Sequence, residues 1–331
     1  MLDVGSHDAL SPVVFHDHAP DLELFGDALA EGLSGADKAI PCRFLYDAAG
    51  SALFDQICLL DEYYPTRTEM GILRRRAGEM AELAGPDCEL IELGGASSQK
   101  ARILLDALER PGAYVPIDIS RDHLRAETRK LSQERPGLKI HAVCADYAKP
   151  FALPDTGAAG RRLGFFPGST IGNLQPYEAL AFLADWAERL GPDAAFVVGV
   201  DLRKSPAVLE RAYDDARGVT AAFSKNVLAR ANRELGADFD LDRFAHRARY
   251  DEACGRIEIH LESLADQTVR VQARAFALRA GERIHIEDSC KYSLTGFRDL
   301  ARAAGFIPSA VWTDADELFS VHYLSTPARA V

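Results

Sequence analysis

The sequence predicts an α/β protein with a mostly parallel central sheet and a second, α+β domain. Between residues 70 and 203, short apolar runs alternate with amphipathic stretches, which is the pattern of parallel strands connected by helices. Between residues 204 and 289, helical stretches precede long segments of alternating polar and apolar residues, as in antiparallel strands. The length of 331 residues agrees with about two domains.

Five strands are predicted in the first part of the chain, each from a short apolar run. These runs are 88–93, 114–119, 139–147, 162–168 and 194–201. The helices predicted between them are 100–110, 121–135 and 176–191. Ser120 is a suitable N-cap for the second helix, while Pro176 and Gly191 mark the start and end of the third. Continuous apolar runs of this kind are typical of parallel strands that are buried on both faces.

The following region has a different pattern, and we interpret it as an insertion into the first domain. Helices are predicted at 205–216 and 224–236, and strands at 248–263, 268–281 and 282–293. Gly255 and Gly281 lie near the expected turns. After residue 290 the alternation of helix and strand returns, with a helix at 297–306 and strands at 308–314 and 319–325.

Composition and charge exclude several classes of protein and partner. Hydrophobic residues make up 47% and charged residues 27%, which is ordinary for a globular protein. The net charge of −12 disfavours binding to phosphate backbones and anionic lipids, so we expect neither nucleic acid nor a membrane as a partner. The sequence has no apolar run of membrane-spanning length, and its N-terminus does not resemble a signal peptide. We therefore expect a cytoplasmic protein.

The cysteines and histidines predict neither a disulfide framework nor a metal site. The six cysteines are scattered and form no C-x-x-C pair, and the nine histidines lack H-E-x-x-H spacing. We expect no bound metal.

Polar residues at the ends of three successive predicted strands outline a nucleoside site. At 91–98 (I-E-L-G-G-A-S-S) a strand turns into a helix through glycines that let the backbone approach a ligand. Asp118 ends the second strand, where a carboxylate can accept both ribose hydroxyls, and Asp146 ends the third strand, where an adenine would lie. Each feature alone also occurs in purely structural turns. The G-x-G-x-x-G motif of nicotinamide-dependent dehydrogenases is absent.

Several longer motifs resemble one known family over almost the whole chain. They are D-E-Y-Y-P-T-R-T-E at 61–69, E-L-G-G-A-S-S-Q-K at 92–100, P-I-D-I-S at 116–120, A-D-Y at 145–147, F-P-G-S-T-I-G-N-L at 166–174 and I-E-D-S-C-K-Y at 286–292. Together they resemble the class I S-adenosylmethionine-dependent methyltransferases and, more narrowly, the histidine-specific Nα-methyltransferases of ergothioneine biosynthesis. The resemblance implies a Rossmann-like methyltransferase domain at 66–203 and 290–331, and a substrate-binding domain at 1–65 and 204–289.

The same resemblance implies an activity and a set of site residues. S-adenosylmethionine would donate methyl groups to the α-amino group of L-histidine, and the trimethylated product would be hercynine. The cofactor-binding positions would be Gly94, Lys100, Asp118, Asp146 and Tyr147. The substrate-binding positions would be Tyr63, Asn173, Tyr213, Glu287 and Ser289, with Tyr46 and Asn173 as the catalytic pair. Two departures from the family are Ile259, where methionine is expected, and Tyr147, where phenylalanine is common.

The residues alone support the substrate site less specifically. Strand alternation predicts Arg283, His285, Glu287 and Ser289 on one face of the last inserted strand, with Ile284 and Ile286 on the other. An acid and a hydroxyl on one face can bind the two nitrogens of an imidazole, but a solvated polar face has the same pattern.

Three functional hypotheses remain open from the sequence. They are histidine Nα-methylation, Nα-methylation of another aromatic amino acid such as tryptophan, and an inactive nucleoside-binding protein. We expect a monomer.

Overall fold

The computed structural model describes residues 13–18, 24–95 and 99–328, in which the strands form one large and two small sheets. The strands are β1 (Val13–Asp17), β2 (Lys38–Ala39), β3 (Glu89–Leu93), β4 (Ala113–Asp118), β5 (Ile140–Cys144), β6 (Arg162–Phe166), β7 (Ala195–Asp201), β8 (Phe244–Asp251), β9 (Arg256–Ser263), β10 (Gln267–Val271), β11 (Arg274–Leu278), β12 (Arg283–Cys290), β13 (Ile307–Thr313) and β14 (Phe319–Ser325).

The helices are α1 (Phe25–Ser34), α2 (Ala48–Ile57), α3 (Tyr64–Ala84), α4 (Gln99–Ala107), α5 (Arg121–Glu134), α6 (Pro176–Leu190), α7 (Pro206–Tyr213), α8 (Val219–Leu235) and α9 (Leu294–Ala303). Short 3₁₀ turns lie at Cys42–Leu45, Thr170–Asn173 and Leu241–Arg243. Helix α6 begins at Pro176 with a Gln175–Glu178 capping box, and it ends at Gly191, whose φ of 83° favours glycine. Among the described residues, no helix is long and apolar enough to cross a membrane.

The large sheet has eight strands in the order β1-β5-β4-β3-β6-β7-β14-β13. The first six strands of this order are parallel, and β14 runs antiparallel to both of its neighbours. Every residue of β3, β4 and β7 is buried, which explains their nearly continuous apolar sequences. These observations confirm the predicted α/β class and its mostly parallel sheet.

Helices cover both faces of the large sheet. Leu90 and Ile91 are successive residues of β3, and they belong to different hydrophobic clusters because successive strand side chains point to opposite faces. One cluster packs α3 and α4 against the sheet, with Met80 and Leu104 fully buried. The other packs α6 and α9 against the opposite face, with Trp186 fully buried. The carboxyl ends of the parallel strands all lie at one edge of the sheet.

The remaining strands form a four-stranded sheet in the order β2-β12-β9-β8 and the hairpin β10–β11. They share a hydrophobic cluster with helices α1, α2, α7 and α8. Gly255 lies in the turn between β8 and β9 with a φ of 71°, as predicted. The segment 268–281, predicted as one strand, is a hairpin that turns at Gln272, whose φ is 54°.

Strand β12 departs from the predicted alternation at one residue. His285 pairs with His260 on β9, but Glu287 pairs with Ile259, so Ile286 is an extra residue in the ladder. The predicted face was therefore wrong for Arg283 and His285. Glu287 and Ser289 do share a face, but their partners on it are the core residues Ile259 and Ile257 of β9. His285 lies on the opposite face, where its Nε2 is 3.0 Å from Asp288 Oδ1.

The first described segment belongs to the large sheet. Strand β1 runs parallel to β5 at the edge of that sheet, with Phe15 opposite Ala142. The resemblance implies that residues 1–65 belong to the substrate-binding domain, and the pairing of β1 with β5 differs from that expectation. Helices α1 and α2 instead pack in the hydrophobic cluster of the smaller sheet. The division of the chain into two domains otherwise stays a prediction.

Candidate active site

The first predicted feature of the site is the glycine turn after β3. Gly94 has a φ of 75°, and the N–H groups of Gly94 and Gly95 donate to Ile117 O at 2.9 and 3.2 Å. A Cβ on Gly95 would lie 2.7 Å from Pro116 Cβ, whereas a Cβ on Gly94 would meet nothing within 4 Å. The turn is thus tightly packed at Gly95 and open at Gly94. Residues 96–98 of the predicted loop lie outside the described residues.

A buried acid, Glu92, lies beneath this turn, within the stretch 91–98 that is part of the predicted nucleoside site. Glu92 is 3% exposed and accepts a hydrogen bond from the Tyr114 hydroxyl. Burial raises the pKa of Glu92 to about 7. The run 88–93 contains two acids, Glu89 and Glu92, and the structure buries both.

Asp118, Asp146 and Tyr147 lie together at the carboxyl edge of the large sheet. Asp118 is the last residue of β4 and pairs with Cys144 on β5, so Asp146 follows on the neighbouring strand. Asp118 is buried and accepts from Ser120 N at 2.7 Å, while Asp146 accepts from Ala148 N at 3.0 Å. Burial, and then the Asp118 charge, raise the pKa of Tyr147.

Lys100 is held at the same edge by a buried glutamate. Its Nζ lies 2.5 Å from Oε2 of Glu69, a residue of α3 that is 1% exposed. Both Glu69 oxygens also accept from Gly168 N at 2.9 Å. A Cβ on Gly199 would lie only 2.0 Å from Glu69 Oε1, so the carboxylate occupies space that a glycine leaves free. Glu69 ends the quoted motif 61–69, but the sequence analysis gave it no role.

The loop after β6 carries Asn173 to the smaller sheet. Ser169 has a left-handed φ of 56° and accepts from Asp201 N through its Oγ at 2.9 Å. A Cβ on Gly172 would lie 2.8 Å from Cys290 O, so the 3₁₀ turn packs directly on β12. This packing brings Asn173 Nδ2 to 3.2 Å from Glu287 Oε1.

Glu287 is a partly buried acid whose protonation depends on its surroundings. Burial raises the pKa of its carboxyl to about 7, although the positive charge of Lys291 acts in the opposite direction. Because Asn173 donates to Oε1, the second carboxylate oxygen is left to accept from a ligand. Ile259, the residue that departs from the family pattern, lies directly opposite Glu287 in the β-ladder.

Tyrosines and phenylalanines form a continuous aromatic cluster beside these polar groups. Tyr46 meets Phe223 and Phe54 edge to face, with ring centroids 5.3 and 5.6 Å apart. Phe54 meets Tyr63 at 6.2 Å, and Tyr63 meets Tyr213 at 5.9 Å. Tyr63 is buried, whereas Tyr46 is 39% exposed. Such edge-to-face contacts leave ring faces available to a cation or a flat ring.

Tyr213 and Ser289 are joined to a buried lysine that the sequence analysis did not single out. Lys291 is fully buried, and its Nζ lies 2.7 Å from the Tyr213 hydroxyl and 2.8 Å from Ser289 Oγ. The two hydroxyls are 3.0 Å apart. The third partner of Lys291 is Asp201 Oδ2, at 2.7 Å.

Asp201 is shared by a second lysine. Lys204 Nζ lies 2.6 Å from both Asp201 Oδ1 and the Tyr64 hydroxyl, and Tyr64 also donates to Asp201. Burial alone would raise the pKa of Asp201, but Lys291 and Lys204 hold it below its usual value. Asp201 likewise raises the pKa of Lys291 against the effect of burial. An acid at the end of the apolar run 194–201 was the available sequence signal.

The structure thus brings the predicted site residues into two adjacent groups. Gly94, Lys100, Asp118, Asp146 and Tyr147 lie at the carboxyl edge of the large sheet. The predicted substrate residues lie around β12, the 3₁₀ turn and the aromatic cluster. The loop from Gly168 to Asn173 connects the groups, since Glu69 binds one of its ends and Glu287 the other.

Comparison with known proteins gives matches over most of the chain. The sequence model of a family described as histidine-specific methyltransferase, SAM-dependent, matches residues 25–326. The chain is 45% identical over 289 residues to the histidine N-alpha-methyltransferase of Mycolicibacterium smegmatis, covering 86% of this chain and 89% of that protein. It is 30% identical over 296 residues to the ergothioneine biosynthesis protein 1 of Neurospora crassa, covering 87% of this chain and 33% of that protein. A solved S-adenosylmethionine-dependent methyltransferase from Clostridium acetobutylicum superposes with a TM-score of 0.49 at 9% identity, covering 84% of this chain and 99% of that one.

Proposed function

Because the chain belongs to the histidine-specific, S-adenosylmethionine-dependent methyltransferases, we propose that it trimethylates the α-amino group of L-histidine to give hercynine. The observation that carries this proposal is the partly buried Glu287 carboxylate, which lies beside an aromatic cluster and has one oxygen bound by Asn173. An imidazole is both a flat ring and an N–H donor, so it matches an aromatic site that contains a carboxylate acceptor.

The residues at the edge of the large sheet fit S-adenosylmethionine. The backbone at Gly94 is open to a ligand, and Lys100 places an ammonium group near the same edge, where both could meet the methionine end. Asp118 ends β4 and Asp146 follows the end of the neighbouring strand β5, where they could meet the ribose and the adenine. The Tyr147 ring would pack beside the adenine. When bound, the cofactor supplies a methyl group already activated by a sulfonium.

In the proposed complex, Glu287 and Ser289 bind the imidazole, and Tyr63, Asn173 and Tyr213 bind the amino-acid backbone. Because the Asn173 amide nitrogen faces Glu287, its amide oxygen is left to accept from the α-amino group. That contact would orient the amine lone pair, which is the alignment that methyl transfer needs. Tyr46 and the neighbouring rings would stabilise the positive charge that grows as methyl groups are added.

The Glu287 carboxylate also disfavours binding of amino acids with an apolar aromatic side chain. A ring without an N–H donor would desolvate the carboxylate and leave it unpaired, which costs several kcal/mol. A calorimetric screen of free amino acids in the presence of S-adenosylhomocysteine tests the proposal. We expect L-histidine to bind most tightly. Tighter binding of tryptophan would favour the second hypothesis, and binding of no amino acid would favour the nucleoside-binding protein.

We further propose that the enzyme works as a cytoplasmic monomer. All six cysteines are free, which agrees with a reducing compartment. Light scattering of the purified protein checks the oligomeric state, and a mass of twice the chain mass of 36.1 kDa would contradict the monomer.

A further inference from the structure

Lys291 is a buried cation for which the proposed function has no use. Lys291 directly follows the last residue of β12, and its side chain is fully buried. Its ammonium group has three N–H donors and three acceptors around it. These acceptors are Asp201 Oδ2, the Tyr213 hydroxyl and Ser289 Oγ, all within 2.8 Å. An ammonium group has three donors, so Lys291 has none left for a ligand. Any effect on a ligand must act through Tyr213 or Ser289.

Counting donors and acceptors shows which hydrogen bonds the hydroxyls of Tyr213 and Ser289 can still form. Lys291 donates to both hydroxyl oxygens, and the hydroxyls are close enough, at 3.0 Å, to share one hydrogen bond. One hydroxyl proton therefore lies between Tyr213 and Ser289, and the other is free to point away from Lys291. The buried ammonium thus turns one of the two hydroxyls into an outward donor.

The buried ammonium of Lys291 favours an anion as the group that this donor meets. Its Nζ lies 2.7 Å from the oxygen of the Tyr213 hydroxyl and so polarises that hydroxyl directly. The α-carboxylate is the only anionic group of neutral histidine. A donor polarised by a buried cation forms a stronger hydrogen bond with a carboxylate than with a neutral amide.

We propose that Lys291 is a positioning residue that makes the site selective for amino acids with a free α-carboxylate. Ser289 donates to the Tyr213 oxygen, and the Tyr213 hydroxyl, held in place by Lys291, donates to the carboxylate. Amino-acid amides and esters are thereby excluded. This inference rests on the proposed function, because it takes Tyr213 as a residue that meets the substrate backbone.

The test compares the affinities of L-histidine and L-histidinamide by calorimetry with S-adenosylhomocysteine present. We expect the wild type to prefer histidine, and Lys291→Gln to reduce that preference about 10- to 100-fold. Lys291→Arg, which keeps the charge, should retain more of the preference than Lys291→Gln. Lys204→Gln is the matched control, because it removes the same charge from Asp201 without contacting Tyr213 or Ser289. It should change the preference much less.

Several results would overturn the inference. Equal affinities of the wild type for the two ligands would do so, as would an unchanged preference in Lys291→Gln or equal effects of Lys291→Gln and Lys204→Gln. If Lys291→Gln loses affinity for histidine and for histidinamide to the same extent, the outward donor belongs to Ser289, near the imidazole, and not to Tyr213. If Lys291→Gln fails to bind S-adenosylhomocysteine, Tyr213→Phe decides, because the preference must fall when the hydroxyl is removed.

The proposed function can fail separately in the same experiment. If the wild type binds another amino acid more tightly than histidine, the histidine assignment is wrong. The comparison of that amino acid with its own amide then still tests the role of Lys291.

Discussion

Glu287 has one carboxylate oxygen bound by Asn173 and lies opposite Ile259, so its second oxygen and its charge are available to a substrate. Replacing Glu287 by Ala should weaken histidine binding by about 1.5–3 kcal/mol, the value of a hydrogen bond to a charged group. The same change should narrow the gap in affinity between histidine and phenylalanine, because the phenylalanine ring has no N–H donor and the charge that it would leave unpaired is removed. Calorimetry with both amino acids measures the two effects.

Glu258 offers a matched control for this change. It lies next to Ile259 on β9 but on the opposite face, where it pairs with Arg256. Glu258→Ala should leave both affinities nearly unchanged. Equal losses of affinity for histidine and phenylalanine in Glu287→Ala would mean that Glu287 has a structural role, and no loss would place it outside the pocket.

The raised pKa of Glu287 predicts how stability changes with pH. Its pKa of about 7 in the folded protein exceeds the ordinary value of 4.5, so the folded state binds more protons than the unfolded state between these values. The free energy of unfolding contributed by Glu287 therefore falls as pH rises through this window. Glu287→Gln keeps the acceptor for Asn173 without the charge, and should gain on the order of 1–3 kcal/mol over the wild type at about pH 8.

Thermal unfolding without ligands at about pH 5 and about pH 8 measures this difference. The gain of the Gln variant should be clearly larger at the higher pH. A gain that is the same at both pH values would contradict the raised pKa.

Some single residues were predictable and others were not. Asp118 and Asp146 are predicted from their positions at strand ends, and in the structure Asp118 ends β4 while Asp146 follows the end of the neighbouring β5. Glu69 and Lys291 received no role, because their partners are distant in the sequence. Glu69 meets the Gly168 backbone, and Lys291 meets Asp201. A buried ion pair between distant segments has no local sequence pattern.

At the scale of elements, the ends of β4 and β5 carry the proposed nucleoside site. Asp118→Ala should weaken binding of S-adenosylhomocysteine by about 1.5–3 kcal/mol or more, because a charged acceptor for the ribose hydroxyls is lost. Asp118 also accepts from Ser120 N, at the start of α5. Asp118→Asn keeps that acceptor and should fall between wild type and Asp118→Ala. If a correctly folded Asp118→Ala variant binds S-adenosylhomocysteine with unchanged affinity, Asp118 does not belong to the cofactor site.

The packing of α3 against β7 depends on one glycine. A Cβ on Gly199 would lie 2.0 Å from Glu69 Oε1, so Gly199→Ala should displace the carboxylate that holds Lys100 and Gly168. We expect a loss of about 1–3 kcal/mol in the free energy of unfolding, together with weaker cofactor binding. Denaturant titration and calorimetry measure the two effects.

Gly78 on α3 is a control for Gly199, because a side chain there has space. It is exposed, and a Cβ there would meet nothing within 4 Å, so Gly78→Ala should stabilise the protein by about 0.5–1 kcal/mol through helix propensity. A neutral or stabilising Gly199→Ala would show that the Glu69 contact is not rigid.

The elements show where sequence periodicity fails. The apolar runs predicted β3 to β7 because parallel strands are buried on both faces. The turn at Gln272 was missed because no glycine marks it, although its φ is positive. The extra residue at Ile286 was missed because a bulge depends on the pairing with β9 and not on the alternation within β12.

At the scale of the whole molecule, the loop from Gly168 to Asn173 places the two halves of the site side by side. Its first residue is bound by Glu69, which also holds Lys100, and its last residue binds Glu287 on the smaller sheet. The proposed cofactor and substrate groups therefore share one rigid connection. The sequence predicts a mostly parallel α/β sheet but not its full strand order, because no sequence pattern marks β1 as an edge strand of it.

The most direct test of this account is the product formed from a mixture of amino acids. The purified protein is incubated with S-adenosylmethionine and equal concentrations of L-histidine and L-tryptophan, and the products are identified by mass spectrometry and NMR. We predict that histidine is consumed first and that all added methyl groups are found on its α-nitrogen, with hercynine as the end product. Methylation of an imidazole nitrogen, or preferential consumption of tryptophan, would contradict the account.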